Sequence, residues 1–184
     1  MGIIKRTFSS LDQSSFIQLY KSIVRPSLEY CSQVWHPHLK KDIQKLEKVQ
    51  RRATKSIPEL RNYSYPERLV KLKLPSLSYR RHRSDQIQTF KMFKGLEDID
   101  PSKFFKLRID SRTRGHQFKI TRNRVKTKRR QNVFSHRTVT EWNNLPEHVV
   151  NSPSINTFKA NLEKAWKSKD KYNPDQTFHC PCSL

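Results

Sequence analysis

Wherever apolar residues gather in this chain they recur at three- and four-residue steps, a spacing that suits helices and not sheets. From Leu11 onward, Phe16, Leu19, Tyr20, Ile23 and Val24 form one such face. Pro26 is expected to kink or end that helix, with Leu28, Cys31, Val34 and Trp35 continuing an apolar helical face. The next helix is expected from about Leu39 to Ile57, with Leu39, Ile43, Leu46, Ala53 and Ile57 turned inward. Pro58 and the turn-like "RNYSYPER" break it, and a short helix then carries Leu69 and Leu72 as far as Pro75. "SLSYRRHRSDQIQTFKMFKG" places Ile87, Phe90 and Phe93 inward and closes on Gly95, a natural C-terminal cap. Further on, Phe134, Thr138, Trp142 and Leu145 share a face. In the last helix Ser152 is expected as cap and Pro153 as first helical residue, with Ile155, Phe158, Leu162, Ala165 and Trp166 inward. The expected fold class is mainly α.

These helices have limited apolar material to share. Hydrophobic residues make up 34% of the 184, below the roughly 45–50% of typical globular domains. Three Trp, ten Phe and six Tyr still supply a modest core. The charge is far less balanced: 38 Lys and Arg stand against 16 Asp and Glu, a formal net charge of +22. Such an imbalance opposes compaction by self-repulsion and favours a polyanionic partner. Nucleic acid is the usual one, with heparin or an anionic membrane surface as other polyanions.

The cations are also patterned. At about 100° per residue, Lys41, Lys45, Lys48, Arg52 and Lys55 fall within a sector roughly 80° wide, opposite the apolar face of the same helix. Soluble helices usually mix signs there, because Glu and Lys four apart attract. A second group is Arg80, Arg81 and Arg83. A third runs from Lys106 to Arg137, with twelve Lys or Arg against one acid, Asp110. Within it "RGHQFKIT" has the makings of a short strand, whereas "RNRVKTKRRQ" has little to bury and reads as a loop or arm. The change in character near residue 98 suggests a helical region over 1–97, a basic extension with two helices over 98–170, and a disordered tail over 171–184.

Catalytic groupings are hard to find. Only three glycines occur, and none makes a phosphate-cradling loop. Glu97, Asp98 and Asp100 are the densest acids, and a polar loop is the simpler reading than a metal site, which needs converging partners. "HCPC" offers His179, Cys180 and Cys182, but the remaining cysteine is the distant Cys31, and structural zinc needs four ligands. His36 and His38 in "HPH" read as turn histidines. No nucleophile sits beside a base, so neither a catalytic residue nor a metal or other cofactor is expected. An odd cysteine count without a signal peptide points to a reducing compartment, nuclear or cytoplasmic and not secreted. No apolar run approaches the ~18 residues of a membrane span.

Binding is the better-supported class. Phosphates neutralised by Lys or Arg release condensed counterions, giving tight, salt-dependent association. The residues expected to do this are Lys41, Lys45, Lys48, Arg52, Lys55, Arg80, Arg81, Arg122, Arg124, Lys126, Lys128, Arg129 and Arg130. Tyr63, Tyr65, Tyr79 and Phe118 lie nearby as possible stacking platforms, though packing is the commoner role of such rings. "KTKRR", Lys126 to Arg130, also fits a nuclear import pattern.

"LYKSIVRPSLEYCSQVWHPHLKKDIQKLEKVQRRATKSI" resembles the segment that follows the polymerase core in reverse transcriptases of non-LTR retrotransposons, the jockey and CR1-like elements. "LRNYSYPERLVKLKLPSLSYRRHRSDQIQTFKMFKG", "TRGHQFKI" and "FSHRTVTEWNNLPEHVVNSPSINTFKANL" resemble later parts of that region, in the same order. The likeness covers about Ile3 to Trp166. It implies that residues 1–97 form a helical, thumb-like bundle whose basic stripe meets the phosphates of RNA or of an RNA–DNA or DNA duplex. By the same likeness the segment from Lys106 to Arg137 would belong to a C-terminal extension that handles RNA or target DNA. The family's Tyr-x-Asp-Asp motif is missing, and no Asp-Asp pair occurs. The fingers, palm and endonuclease are likewise absent, so the expectation is a truncated piece of an RNA-directed DNA polymerase, inactive alone, with the missing polymerase core as a further partner. Two other readings stand beside it: a host-adopted protein-interaction module, and a decayed remnant with no selected function.

Overall fold

The computed structural model describes residues 12–108 and 115–167 and is mainly α. In chain order the helices are α1 (Gln13–Leu19), α2 (Arg25–Glu29), α3 (Ser32–Trp35), α4 (Lys40–Lys55), α5 (Tyr65–Lys71), α6 (Leu77–Phe93), α7 (Lys128–Gln131), α8 (Phe134–Asn143), α9 (Glu147–Val150) and α10 (Ile155–Lys167). Among the described residues there is no β-strand, only an isolated antiparallel bridge between Leu107 and Ile120. No helix of those residues is long and apolar enough to cross a membrane. The chain divides into two compact units, Met1–Arg81 and His82–Leu184. The division falls within α6, ahead of the change in charge near residue 98. The segment 171–184, expected to be disordered, lies outside the described residues.

In the first unit Phe16, Tyr20, Ala53, Ile57, Leu60, Leu69, Leu72 and Leu74 form the buried core. Asp12 caps α1 by accepting the backbone N–H of Ser14 and Ser15. Of the two outcomes expected of Pro26, a kink or an end, it does not end the helix. A π turn, Tyr20–Val24, precedes it, with the Arg25 N–H bonded to the Tyr20 carbonyl five residues back. The wider turn relieves the clash a proline ring makes with the carbonyl four residues earlier. Helix α2 then runs through Pro26, and the break comes at Cys31, which is left-handed at φ 49°. Cys31, Val34 and Trp35 do not extend an apolar buried face: all three are exposed, Val34 at 85%.

Helix α4 buries Glu47, Gln50, Ala53 and Thr54. This corrects the expected inward set, for Leu39 is 45% exposed while two long polar side chains are taken in. Both are satisfied. Tyr65 donates its hydroxyl to the Glu47 carboxylate at 2.6 Å, and the Ser78 N–H donates to it at 2.8 Å. Tyr20 donates to the Gln50 amide oxygen at 2.6 Å, and the Gln50 NH2 group donates to the Pro75 carbonyl at 3.0 Å. Glu47 and the Ser76 hydroxyl, which accepts the Tyr79 N–H at 3.1 Å, thus serve backbone donors of the first turn of α6. Helix α5 starts on a capping box of Ser64 and Glu67, legible as "SYPE".

The second unit is built around aromatic rings. Phe90 stacks on Phe158 with centroids 4.2 Å apart, and Phe93 packs on Phe105, Phe118 and Trp142. Trp142, Phe158 and Leu162 have no exposed surface. The expected Gly95 cap is present: at φ 62° it lets Leu96 and Gly95 donate to the carbonyls of Lys91 and Met92. The cap of α10 is Ser154 and not Ser152, since its hydroxyl accepts the Thr157 N–H at 3.2 Å. Ser152 is buried, donates to the Val149 carbonyl and accepts from Asn161. Arg137, counted in the basic run, is buried against Asp85 in a bidentate pair, Nε and Nη2 each 2.9 Å from a carboxylate oxygen. Its Nη1 donates to the Asn132 carbonyl at 2.9 Å.

Two stability predictions follow from these contacts. Removing one partner of a buried pair costs roughly 3–5 kcal/mol, so Arg137→Met should shift the urea midpoint sharply downward. The double variant Arg137→Met/Asp85→Leu should recover much of that loss. Burial first, then the charge of Glu47, holds the Tyr65 phenol well above the ordinary tyrosine value of 10.0, and burial does the same for Tyr20. Their stabilisation is therefore complete below about pH 10, where unfolded tyrosines begin to ionise, and is lost as pH rises further. Stability should fall above that point by about 1.4 kcal/mol per pH unit for each such phenol. Comparing Tyr65→Phe with the parent in pH-resolved denaturation isolates the contribution of Tyr65, because the gap between the two should narrow above about pH 10.

Candidate nucleic-acid interface

The polar network that buries Glu47 and Gln50 also decides where the cations of α4 point. On a wheel of about 100° per residue the buried sector, Glu47 to Ile57, is centred opposite the basic stripe. Lys41, Lys45, Lys48, Arg52 and Lys55 are all exposed. At ~1.5 Å rise per residue the stripe runs along about 21 Å of helix. Its acidic neighbour is Asp42, 3.4 Å from Lys45, an exposed pair of the kind that contributes little. Arg51 on the flank lies over the Tyr65 ring at 4.9 Å.

Arginines 80, 81 and 83 are placed differently. Arg80 forms a bidentate ion pair with Glu29, its Nη2 at 2.7 Å from the carboxylate. Arg81 is 1% exposed, with an interaction of its own inside the protein. Arg83 pairs with Glu163 at 2.8 Å. Arg80 and Arg81 were expected at the interface, yet the charge of Arg80 is paired within the fold and Arg81 is buried.

The basic segment of the second unit rises from a fixed root. Ile120 is buried, and its backbone N–H and carbonyl both bond to the Asn143 side-chain amide at 2.8 Å. Trp142 donates its indole N–H to the Phe118 carbonyl at 2.8 Å. The Thr121 N–H donates to the Lys106 carbonyl at 2.7 Å. Beyond this root residues 122–127 are irregular, as expected of a loop, but α7 adds one helical turn that was not expected. Thr127 caps it by accepting the Arg130 N–H. Arg122, Arg124, Lys126, Lys128, Arg129 and Arg130 are all exposed. Arg112 and Arg114 lie outside the described residues.

A groove of about 490 Å³ opens here, lined by Arg122, Asn123, Arg124, Val125, Gln131 and His136. Burial first, then the charges of Arg130 and Arg122, push the His136 imidazole below its ordinary value. Sequence spacing gave the cations of this groove but not its concavity, which depends on α8 folding back beside the loop.

Of the rings considered for stacking, Tyr63 is the exposed one, with the Lys71 ammonium 4.0 Å above it. Tyr79 is buried, Tyr65 is tied to Glu47, and Phe118 packs on Phe93. The acids near residue 97 are held by protein donors: Lys91 and Gln88 bond Glu97, and Ser102 bonds Asp100. His38 is exposed. His179, Cys180 and Cys182 lie outside the described residues. Comparison with protein-family models, with curated proteins and with solved structures finds no match for this chain.

Proposed function

We propose that this chain binds nucleic acid, gripping the phosphates of a duplex along α4, as the thumb-like portion of a non-LTR reverse transcriptase that does not polymerise alone. The observation that carries this reading is the single-sided display of Lys41, Lys45, Lys48, Arg52 and Lys55, all exposed on a helix whose opposite side is buried. A rigid rod of cations meets a phosphate backbone without reorganising, and each phosphate it neutralises sheds condensed counterions. At +22 the whole chain also steers polyanions toward it. The order of resembling segments from Ile3 to Trp166 supports the parentage, and the missing Tyr-x-Asp-Asp motif supports the lack of activity.

One observation favours a second reading, a protein-interaction module. Ile23, Tyr30, Val34, Trp35 and Leu39 all leave large apolar surface in water within one short stretch. A protein partner, whether a polymerase core or a host protein, would bind there with little dependence on salt, unlike a phosphate backbone.

The test is a salt titration of the purified chain with a labelled RNA–DNA primer–template, set against single-stranded RNA of equal length. Duplex binding should be preferred and steeply salt-dependent. Gln at Lys45, Lys48, Arg52 and Lys55 should flatten the log–log salt slope by as much as about 3.6, at ~0.9 per phosphate contact, with helicity unchanged by circular dichroism. An unaltered slope would remove α4 from the interface.

A further inference from the structure

Duplex contact along α4 leaves the second unit's concave feature without a role. Its groove is walled by the irregular segment 122–125 on one side and by Gln131 of α7 and His136 of α8 on the other. We propose that this groove is a phosphate-monoester pocket that seats a nucleoside monophosphate unit, either the 5′-phosphorylated end of a single strand or a free nucleotide. The proposal rests on the nucleic-acid reading for its biological ligand, but not on α4.

Size is the first argument. About 490 Å³ falls within the ~300–1,000 Å³ of pockets that take one small ligand, and it is a concavity where a duplex needs an extended face. Chemistry is the second. Arg122 and Arg124 bring two planar forks, the side chain best matched to phosphate oxygens in bidentate geometry. Asn123 and Gln131 add amides able to donate and accept at a base edge or ribose, and Val125 gives an apolar surface for the base. A monoester carries close to two negative charges near neutral pH and an internal diester carries one, so a pocket with two guanidiniums favours the monoester.

The electrostatics of the site agree. His136 feels Arg130 and Arg122 strongly enough that its protonated form is disfavoured beyond the effect of burial. Between Asp110 and Glu141 the sequence contains no acid, so the charges that this stretch itself contributes are all positive. The pocket also has a rigid base, because Asn143 clamps the Ile120 backbone two residues before Arg122.

The experiment uses the full chain and compares two short single-stranded RNAs of one sequence, carrying a 5′-phosphate or a 5′-hydroxyl and labelled at the 3′ end. The phosphorylated strand should bind about tenfold tighter or more, the scale of one or two added charge-assisted hydrogen bonds. That preference should vanish in Arg122→Gln/Arg124→Gln. It should also shrink in Arg122→Lys/Arg124→Lys, which keeps the charge and loses the forks. It should survive the four Gln substitutions on α4, even where overall affinity falls. Adenosine 5′-monophosphate should displace the phosphorylated strand where adenosine does not, and direct binding of the monophosphate separates free nucleotide from strand end.

Equal binding of both strands while α4-dependent duplex binding persists overturns the pocket and leaves the proposed function standing. Monophosphate binding that depends on Arg122 and Arg124, without binding of either strand or duplex, supports the pocket and overturns the nucleic-acid reading. Loss of the preference in the α4 variant, with both arginines intact, also overturns the pocket. Both arginines are exposed, so near-native circular dichroism is expected of every variant.

Discussion

The first unit depends on the burial of one carboxylate. Glu47 sits on the inward side of α4, where an unsatisfied charge would cost several kcal/mol. It is kept there by the Tyr65 hydroxyl from α5 and by the Ser78 N–H from the opening turn of α6. Gln50, one turn along, is held by Tyr20 and the Pro75 carbonyl. These bonds fix the rotation of α4 about its own axis. A slip of one residue would turn the helix by about 100° and carry both side chains away from these partners. The outward direction of the five cations is thus set from the other side of the helix, by buried polar groups.

The second unit displays its cations by another route. Its centre is a set of stacked rings around Trp142 and Phe158, and its irregular segment is attached to them at a few hydrogen bonds. Arg137 and Asp85 close a buried pair that ties the start of α8 to α6. From these fixed points residues 122–130 project as a loop and one helical turn. The result is a rod of charge in one unit and a hollow lined with charge in the other. A rod suits a regular backbone, and a hollow suits a single group inserted into it.

Much of this was legible in the sequence where the signal is local. The three- and four-residue apolar steps gave the helices, Gly95 marked its cap, and the basic stripe could be drawn by counting. What escaped were contacts between distant residues. The burial of Glu47 and Gln50 leaves no local mark, because their partners stand 18 to 31 residues away. Arg80 and Arg137 read as free cations because Glu29 and Asp85 lie 51 and 52 residues off. Pro26 read as a kink or an end, and the π turn that accommodates it has no compositional mark. The apolar residues from Cys31 to Leu39 followed a helical period without being buried, since periodicity says which residues share a face and not whether anything covers it.

The one-sided charge of α4 also bears on how the protein behaves in a test tube. With Asp42 as the acid that pairs with the stripe among the described residues, its lysines and arginines push against one another, and the folded state carries that repulsion at low ionic strength. Any polyanion that settles on the helix relieves it, so apparent stability rises with the concentration of whatever anion is present. On the proposed function, cellular RNA carried through purification is such a ligand. A melting curve measured before nuclease treatment and a high-salt wash should then lie above the curve measured afterwards.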